Sequence, residues 1–123
     1  MTTQTIERTT LSNLVSNEEY CRKVLPFIKA DYFDIKEERV VFEEITNFVE
    51  KYKRIPTKIS LEIEVESRKD LTQDQHTKIV EIIQTLDSTD VDMEWLVDTT
   101  EKFCKDKAIY NAIVDGISII DGK

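Results

Sequence analysis

Residues 34–56 read DIKEERVVFEEITNFVEKYKRIP, and they carry the clearest helical pattern in the first half of the chain. Asp34 followed by Glu37 is an N-cap signal, and Pro56 cannot continue a helix. Between these positions apolar residues recur every three or four places, which is the period of one helix face. They are Val41, Phe42, Ile45, Phe48, Val49 and Tyr52. The stretch predicts an amphipathic helix whose aromatic stripe packs into a core.

Similar signals predict helices on both sides of this stretch. A first short helix is expected over residues 6–15, after a frayed start. Ser16, with a glutamate three positions later, matches a capping box and begins a second helix that contains Pro26. Thr72, with Gln75 three positions later, is another capping box ahead of the apolar run at residues 79–86.

The stretch ISLEIEVE at residues 59–66 supports two interpretations. Its strict alternation of apolar and polar residues is the period of a half-buried strand. The chain offers no second strand, however, and an unpaired strand is not stable. Ile59 and Ile63 also fit one helix face, and Thr57 can cap a helix after Pro56. We favour a short helix over residues 57–68 and keep the strand as the alternative.

The last predicted element is the longest and runs from Asp92 to Ile120. As a continuous helix it would measure roughly 43 Å, which exceeds what a small head can cover. Asp121 and Gly122 then form a helix-stop signal. One side of the helix is apolar and needs a partner outside the head. Its residues are Leu96, Phe103, Tyr110, Ile113, Val114, Ile117 and Ile120, widened by Trp95 and Ile109.

The composition also favours helices. The chain has 123 residues, 40% of them hydrophobic, but only two glycines and two prolines. Sheet-rich folds need turn residues more often than this. We therefore predict an all-α protein with a flexible leader (residues 1–10), a compact multi-helix head (11–90) and a long projecting helix (91–123).

The formal net charge of −8 restricts the class of partner. Gripping nucleic acid needs clustered lysines and arginines, whereas the basic residues here are interleaved with acids or lie at a helix end. We expect no direct nucleic-acid binding by this segment, and the charge is compatible with a basic protein partner. The two distant cysteines, the polar N-terminus and the lack of a transmembrane-length apolar run predict a cytoplasmic domain without a disulfide.

No catalytic or metal-binding motif is found in the sequence. It contains no P-loop, no Gly-rich phosphate loop, no H-E-x-x-H and no C-x-x-C. The single histidine, His76, has no second ligand at metal-binding spacing. Pairs of glutamates are typical of solvated helix faces, although a small enzyme with paired carboxylates and a divalent cation remains an alternative. We expect no catalytic residue, no metal and no cofactor in this segment.

Three regions of the chain, in order, resemble the N-terminal domain of the T-even-phage-type branch of the DnaB-family replicative helicases. The third is the most specific of the three. They are NLVSNEEYCRKVLP (13–26) with DYF (31–33); VFEEITNFVEKY (41–52) with RIPT (54–57); and EWLVDTTEKF (94–103) with AIYNA (108–112). The resemblance extends from about Leu11 to Ile120.

The resemblance implies a fold and a role. In that family a helical head is followed by a helical hairpin, and paired hairpins build a collar on a hexameric ring that engages primase. The long helix would be the first arm of the hairpin. The ATP- and Mg-dependent 5'-3' motor would lie in a part of the protein outside this sequence, in the cytoplasm of a phage-infected bacterial cell. Candidates for self-association or hairpin packing are Trp95, Phe103, Tyr110, Ile113 and Ile117. The alternative is a stand-alone phage adaptor or regulatory protein that binds its partner through the exposed helix.

Overall fold

The computed structural model describes the backbone of residues 3–120 and the side chains of residues 5–117. These residues form six α-helices and two short 3-10 helices, with no strand among them. The predicted all-α class is therefore confirmed. The α-helices are α1 (Thr3–Ser16), α2 (Glu18–Val24), α3 (Lys36–Tyr52), α4 (Lys58–Glu66), α5 (Gln73–Gln84) and α6 (Met93–Ile120), and the 3-10 helices are Leu25–Phe27 and Ala30–Tyr32.

The core lies around α3, which packs against α1, α4 and α5, while the first half of α6 packs on α1 and α2. Phe33 links these layers because its ring contacts Phe42 at 5.3 Å and Phe103 at 6.3 Å between centroids. Each fully buried Leu, Ile or Phe side chain contributes roughly 1.5–3 kcal/mol by leaving water. The fully buried set includes Leu11, Leu14, Tyr20, Phe33, Ile45, Leu61, Ile79, Ile83, Leu86 and Leu96.

The predicted cap at Thr57 and the predicted capping box at Thr72 are both present, and each forms a capping box. The Thr57 side chain accepts from the backbone N–H of Ser60, and the Ser60 hydroxyl accepts from the N–H of Thr57. Thr72 and Gln75 make the same reciprocal pair at the start of α5. In both cases two backbone donors of the first turn are satisfied, which fixes the first residue of the helix.

Two other predicted caps were wrong. Ser16 is the last residue of α1, and its hydroxyl donates to the carbonyl of Ser12. The cap of α2 is instead Asn17, whose side chain accepts from the N–H of Tyr20. Asp34 does not cap α3, since the N-cap position is taken by Ile35, and the Asp34 carboxylate instead accepts from Lys107 at 2.6 Å. A long-range ion pair therefore replaces the local hydrogen bond that the sequence pattern suggested.

The ambiguous stretch at residues 59–66 is helical, as favoured, and forms most of α4. Leu61 and Val65 are buried in the core. Ile59 and Ile63 are exposed on the outer side. A period of two on a helix necessarily divides the apolar residues between the inner and outer faces.

Both prolines lie outside regular α-helix. Helix α2 ends at Val24, and Pro26 lies in the 3-10 helix that follows, where a missing N–H is tolerated. Helix α3 ends at Tyr52, earlier than the predicted stop at Pro56. Lys53 terminates it in the left-handed conformation, with φ 60° and ψ 30°, and donates its N–H to Val49.

The predicted flexible leader over residues 1–10 was wrong from Thr3 onward, where α1 begins. Glu7 and Thr10 are fully buried on the face that continues to Leu11 and Leu14. Arg8 donates from Nε to Glu38 at 2.9 Å and joins α1 to α3. Met1 and Thr2 lie outside the described residues, as does the predicted helix stop at Asp121 and Gly122.

Candidate functional site

The candidate site is built on α6, and its position is fixed at the N-terminal end of that helix. Asp92 caps the first turn, since its Oδ1 accepts from the N–H of Trp95 at 2.8 Å. One turn of the helix further on, Leu96 and Thr100 are buried against the head. The Thr100 hydroxyl lies 2.7 Å from the Tyr20 hydroxyl on α2, inside the core. The first half of α6 is therefore part of the head.

Among the five predicted self-association residues, Phe103 belongs to this anchored half. It is only 8% exposed, and its ring packs at 60° to that of Phe33. The structure thus assigns Phe103 to the core of its own chain, and it is not available to another protein. Its apolar periodicity did not distinguish it from the exposed members because both groups share the same spacing.

A polar cluster marks the point where α6 leaves the head. The Lys107 ammonium lies 2.6 Å from Oδ1 of Asp34 and 4.0 Å from Oε1 of Glu7. One turn later, the Asn111 side chain donates to the carbonyl of Asp31 at 3.4 Å. These contacts hold the middle of α6 to α1 and to the segment before α3. We call Glu7, Asp34 and Lys107 the root cluster.

Glu7 is the unusual member of the root cluster because it is a fully buried carboxylate. Its Oε1 accepts from the N–H of Asp34, whereas its Oε2 has no hydrogen-bond partner within the described part of the chain. Burial penalises the charged form and raises the pKa of Glu7 from 4.5 to about 7. The hydrogen bond from Asp34 and the charge of Lys107 oppose this rise, while Asp34 and Glu38 add to it.

Beyond the root cluster, α6 presents an exposed apolar face. Its members lie on one side of the helix because they are separated by one, three or four positions. Each has between 42% and 62% of its surface exposed. They are Ile109, Tyr110, Ile113, Val114 and Ile117, which we call the α6 stripe. Three predicted residues, Tyr110, Ile113 and Ile117, belong to it.

Trp95, the remaining predicted residue, is 43% exposed but lies at the other end of α6. Five helical turns separate it from Ile113, and the exposed ion pair of Lys102 with Asp106 lies between them. The structure therefore joins three of the five predicted residues in one surface, separates Trp95 from them and buries Phe103.

Sequence reasoning missed the root cluster. Glu7 carried a signal, because it lies on the same helix face as Leu11 and Leu14, where an acid is unexpected. Lys107 carried none, since it is one of several lysines on α6. Their contact joins opposite ends of the chain and depends on the tertiary fold.

Neither a reactive thiol nor a metal site is found among the described residues. Burial raises the pKa of both thiols, Cys21 and Cys104, to about 11, so they are poor nucleophiles. Within residues 5–117 no group of three or more His, Cys, Asp or Glu side chains is placed to hold a metal ion. Over the same part of the chain, no helix combines the length and hydropathy needed to span a membrane.

Comparisons with known proteins agree with this architecture. Residues 2–99 match the family model described as the DnaB-like helicase N-terminal domain. The chain is also 28% identical, over 102 residues, to a DnaB-like replicative helicase of Enterobacteria phage T4. That match covers 83% of this chain but only 21% of the phage T4 protein, so the chain spans about a fifth of its relative. Because the family model covers most of the sequence, the chain belongs to the DnaB-like helicase N-terminal domain family.

Proposed function

We propose that this domain is the non-catalytic collar of a phage replicative DNA helicase, that it mediates ring oligomerisation, and that it contacts primase during DNA replication. The observation that carries the proposal is the α6 stripe, a continuous apolar face on a helix that has already left its own head. Contiguous exposed apolar surface of this kind marks protein interaction sites. A helix paired against it would cover these side chains and complete a hairpin or an intermolecular bundle.

The division of α6 supports assembly through its free half. Leu96 and Phe103 anchor the helix in the core, and the root cluster holds it where it leaves the head. The stripe is therefore presented by a rigid element in a defined direction. Burying its five side chains would contribute several kcal/mol, at roughly 25 cal/mol per Å² of apolar surface removed from water. A second copy is the natural partner, because identical stripes can pair about a two-fold axis.

We further propose that the parent protein is an ATP-dependent 5'-3' DNA helicase of the cytoplasm of an infected bacterium. In this proposal ATP and Mg²⁺ bind to a motor domain. The collar fixes the geometry of the ring and presents a surface to primase, without binding a cofactor. The net charge of −8 makes direct DNA binding by the collar alone unfavourable.

The first test is the oligomeric state of the domain, measured by sedimentation velocity over a range of concentrations. We expect dimers or larger species that dissociate when Ile113→Glu places a charge in the stripe, with Kd raised at least tenfold. Ile63→Glu on α4 is a matched control, because Ile63 and Ile113 are both 57% exposed. Its Kd should remain within about twofold of the wild-type value, as an exposed substitution outside the interface has little effect.

Two results would contradict self-assembly: a wild-type domain that stays monomeric at millimolar concentration, or equal effects of the two glutamate substitutions. A monomer that nevertheless captures another protein through the stripe would favour the alternative function, a phage adaptor or regulatory protein. The primase contact is tested separately, by titrating the wild-type domain with the primase encoded by the same phage. Absence of binding by the assembled domain would remove that part of the proposal.

A further inference from the structure

A second candidate surface lies on the head, away from the α6 stripe. A cleft of about 480 Å³ opens between α2, the 3-10 helix that follows it, and the C-terminal half of α3. This volume is in the range of clefts that hold a ligand or the anchoring side chains of a partner. Its floor is apolar and consists of Cys21, Leu25, Pro26, Ile28, Val49 and Ile55. We call it the α2–α3 cleft.

The rim of the cleft carries cations that are not neutralised. Lys53 and Arg54 line it, and neither forms an ion pair within residues 5–117. The Arg54 guanidinium is held 5.7 Å from the centroid of the Tyr52 ring. The left-handed conformation of Lys53 ends α3 at this point. In a chain of net charge −8, this end of α3 is a local site of positive charge.

We propose that the α2–α3 cleft docks an acidic amphipathic segment of a partner protein. Apolar anchors of that segment would contact the floor, and its carboxylates would pair with Lys53 and Arg54. This combination of an apolar pocket and complementary charge at its rim is how helix-in-groove contacts obtain affinity and orientation. The proposal does not depend on ring assembly through α6.

Single-stranded nucleic acid fits the cleft less well. Bases bind such surfaces by stacking on exposed aromatic rings, and none of the described residues that line the cleft is aromatic. The nearby Tyr52 ring is already packed against Phe48, at 4.7 Å between centroids. Glu18 and Glu50 at the rim act on phosphates and carboxylates alike, so they do not distinguish the two kinds of partner.

The test uses nuclear magnetic resonance of the labelled domain with a designed helical peptide as the probe. Leucines in the peptide recur every third and fourth residue, and glutamates fill most other positions. We expect the peptide to change the chemical shifts of the residues that line the cleft. The double variant Lys53→Glu/Arg54→Glu should bind the peptide at least tenfold more weakly. Lys51→Glu is the matched control, because Lys51 is an exposed cation on α3 that does not line the cleft. It should change the affinity by no more than about twofold.

The apolar floor is tested by Val49→Thr, which keeps the shape of the side chain. This variant should also bind the peptide more weakly, while its circular dichroism spectrum stays that of the wild type. Four results would each overturn the proposal. The first is an equal loss of peptide affinity in the Lys51 and Lys53/Arg54 variants, and the second is equal binding of a peptide that has lysine in place of glutamate. The third is tighter binding of a thymidine oligonucleotide at the cleft. The fourth is a change in the chemical shifts of the cleft residues with protein concentration when no peptide is present. The last result would mean that a second copy of the chain fills the cleft.

Discussion

The root cluster predicts an unusual dependence of stability on pH. The pKa of Glu7 rises from 4.5 to about 7 because the carboxyl is buried. Between these two values the folded domain holds a proton that the unfolded chain has released, so its stability decreases as pH increases. The contribution of Glu7 is fully present below about pH 4.5 and is lost as pH rises through about 7. The sign is opposite to that of an acid whose pKa is lowered by an ion pair.

The magnitude follows from the size of the shift. One pKa unit corresponds to about 1.4 kcal/mol, so the change between about pH 5 and pH 8 amounts to roughly 2 to 3 kcal/mol. Glu7→Gln keeps the shape but cannot ionise. The free energy of unfolding of the variant should therefore lack the pH-dependent contribution of Glu7. The difference in unfolding free energy between the two proteins then separates Glu7 from all other titrating groups.

The assay is urea denaturation, followed by circular dichroism, at several pH values between about 5 and 8. We expect the stability of the wild type relative to Glu7→Gln to decrease by roughly 2 to 3 kcal/mol across this range. Glu64→Gln on α4 is the control, because Glu64 is exposed and should give a curve parallel to the wild type. Parallel curves for wild type and Glu7→Gln would refute the reasoning and show that Glu7 is ionised in the folded domain throughout.

Two further predictions concern local features of the fold. Lys53→Gly should stabilise the domain by roughly 1 kcal/mol in urea denaturation, because glycine adopts the left-handed conformation at φ 60° without steric cost; Lys51→Gly, inside α3, should have the opposite sign. Tyr20→Phe should destabilise it by roughly 1 kcal/mol, seen as a lower Tm, because the buried hydrogen bond to Thr100 is lost. An unchanged Tm would mean that the Tyr20 hydroxyl contributes nothing to stability.

Local patterns predicted the helices well because helix formation depends on neighbouring residues. The capping boxes at Thr57 and Thr72 involve residues three positions apart, so the sequence contains the whole interaction. The α4 stretch was decided by the absence of a second strand, although its own alternation suggested one. Where a residue had a stronger distant partner, the local pattern failed, as for Asp34, whose carboxylate binds Lys107.

The candidate site was predictable only in outline. The spacing of apolar residues on α6 predicted an apolar side that the head does not cover, and the exposed α6 stripe agrees with this. It did not show where the head ends, and so it grouped Phe103 with Ile113 and Ile117. That boundary is set by the packing of Phe33 and by the contacts of Lys107. The α2–α3 cleft was not visible at all, because its lining comes from segments that only the fold brings together.

The division of α6 into an anchored and a free half makes the helix a lever arm with its fulcrum near Lys107. The rise of about 1.5 Å per residue places Ile120 roughly 20 Å beyond that point. A tilt of about 10° at the fulcrum then displaces the tip by roughly 3 to 4 Å, which is more than the tolerance of close side-chain packing. A small rearrangement among Glu7, Asp34 and Lys107 would therefore be amplified along the helix, so the direction of the α6 stripe depends on how these three residues pack.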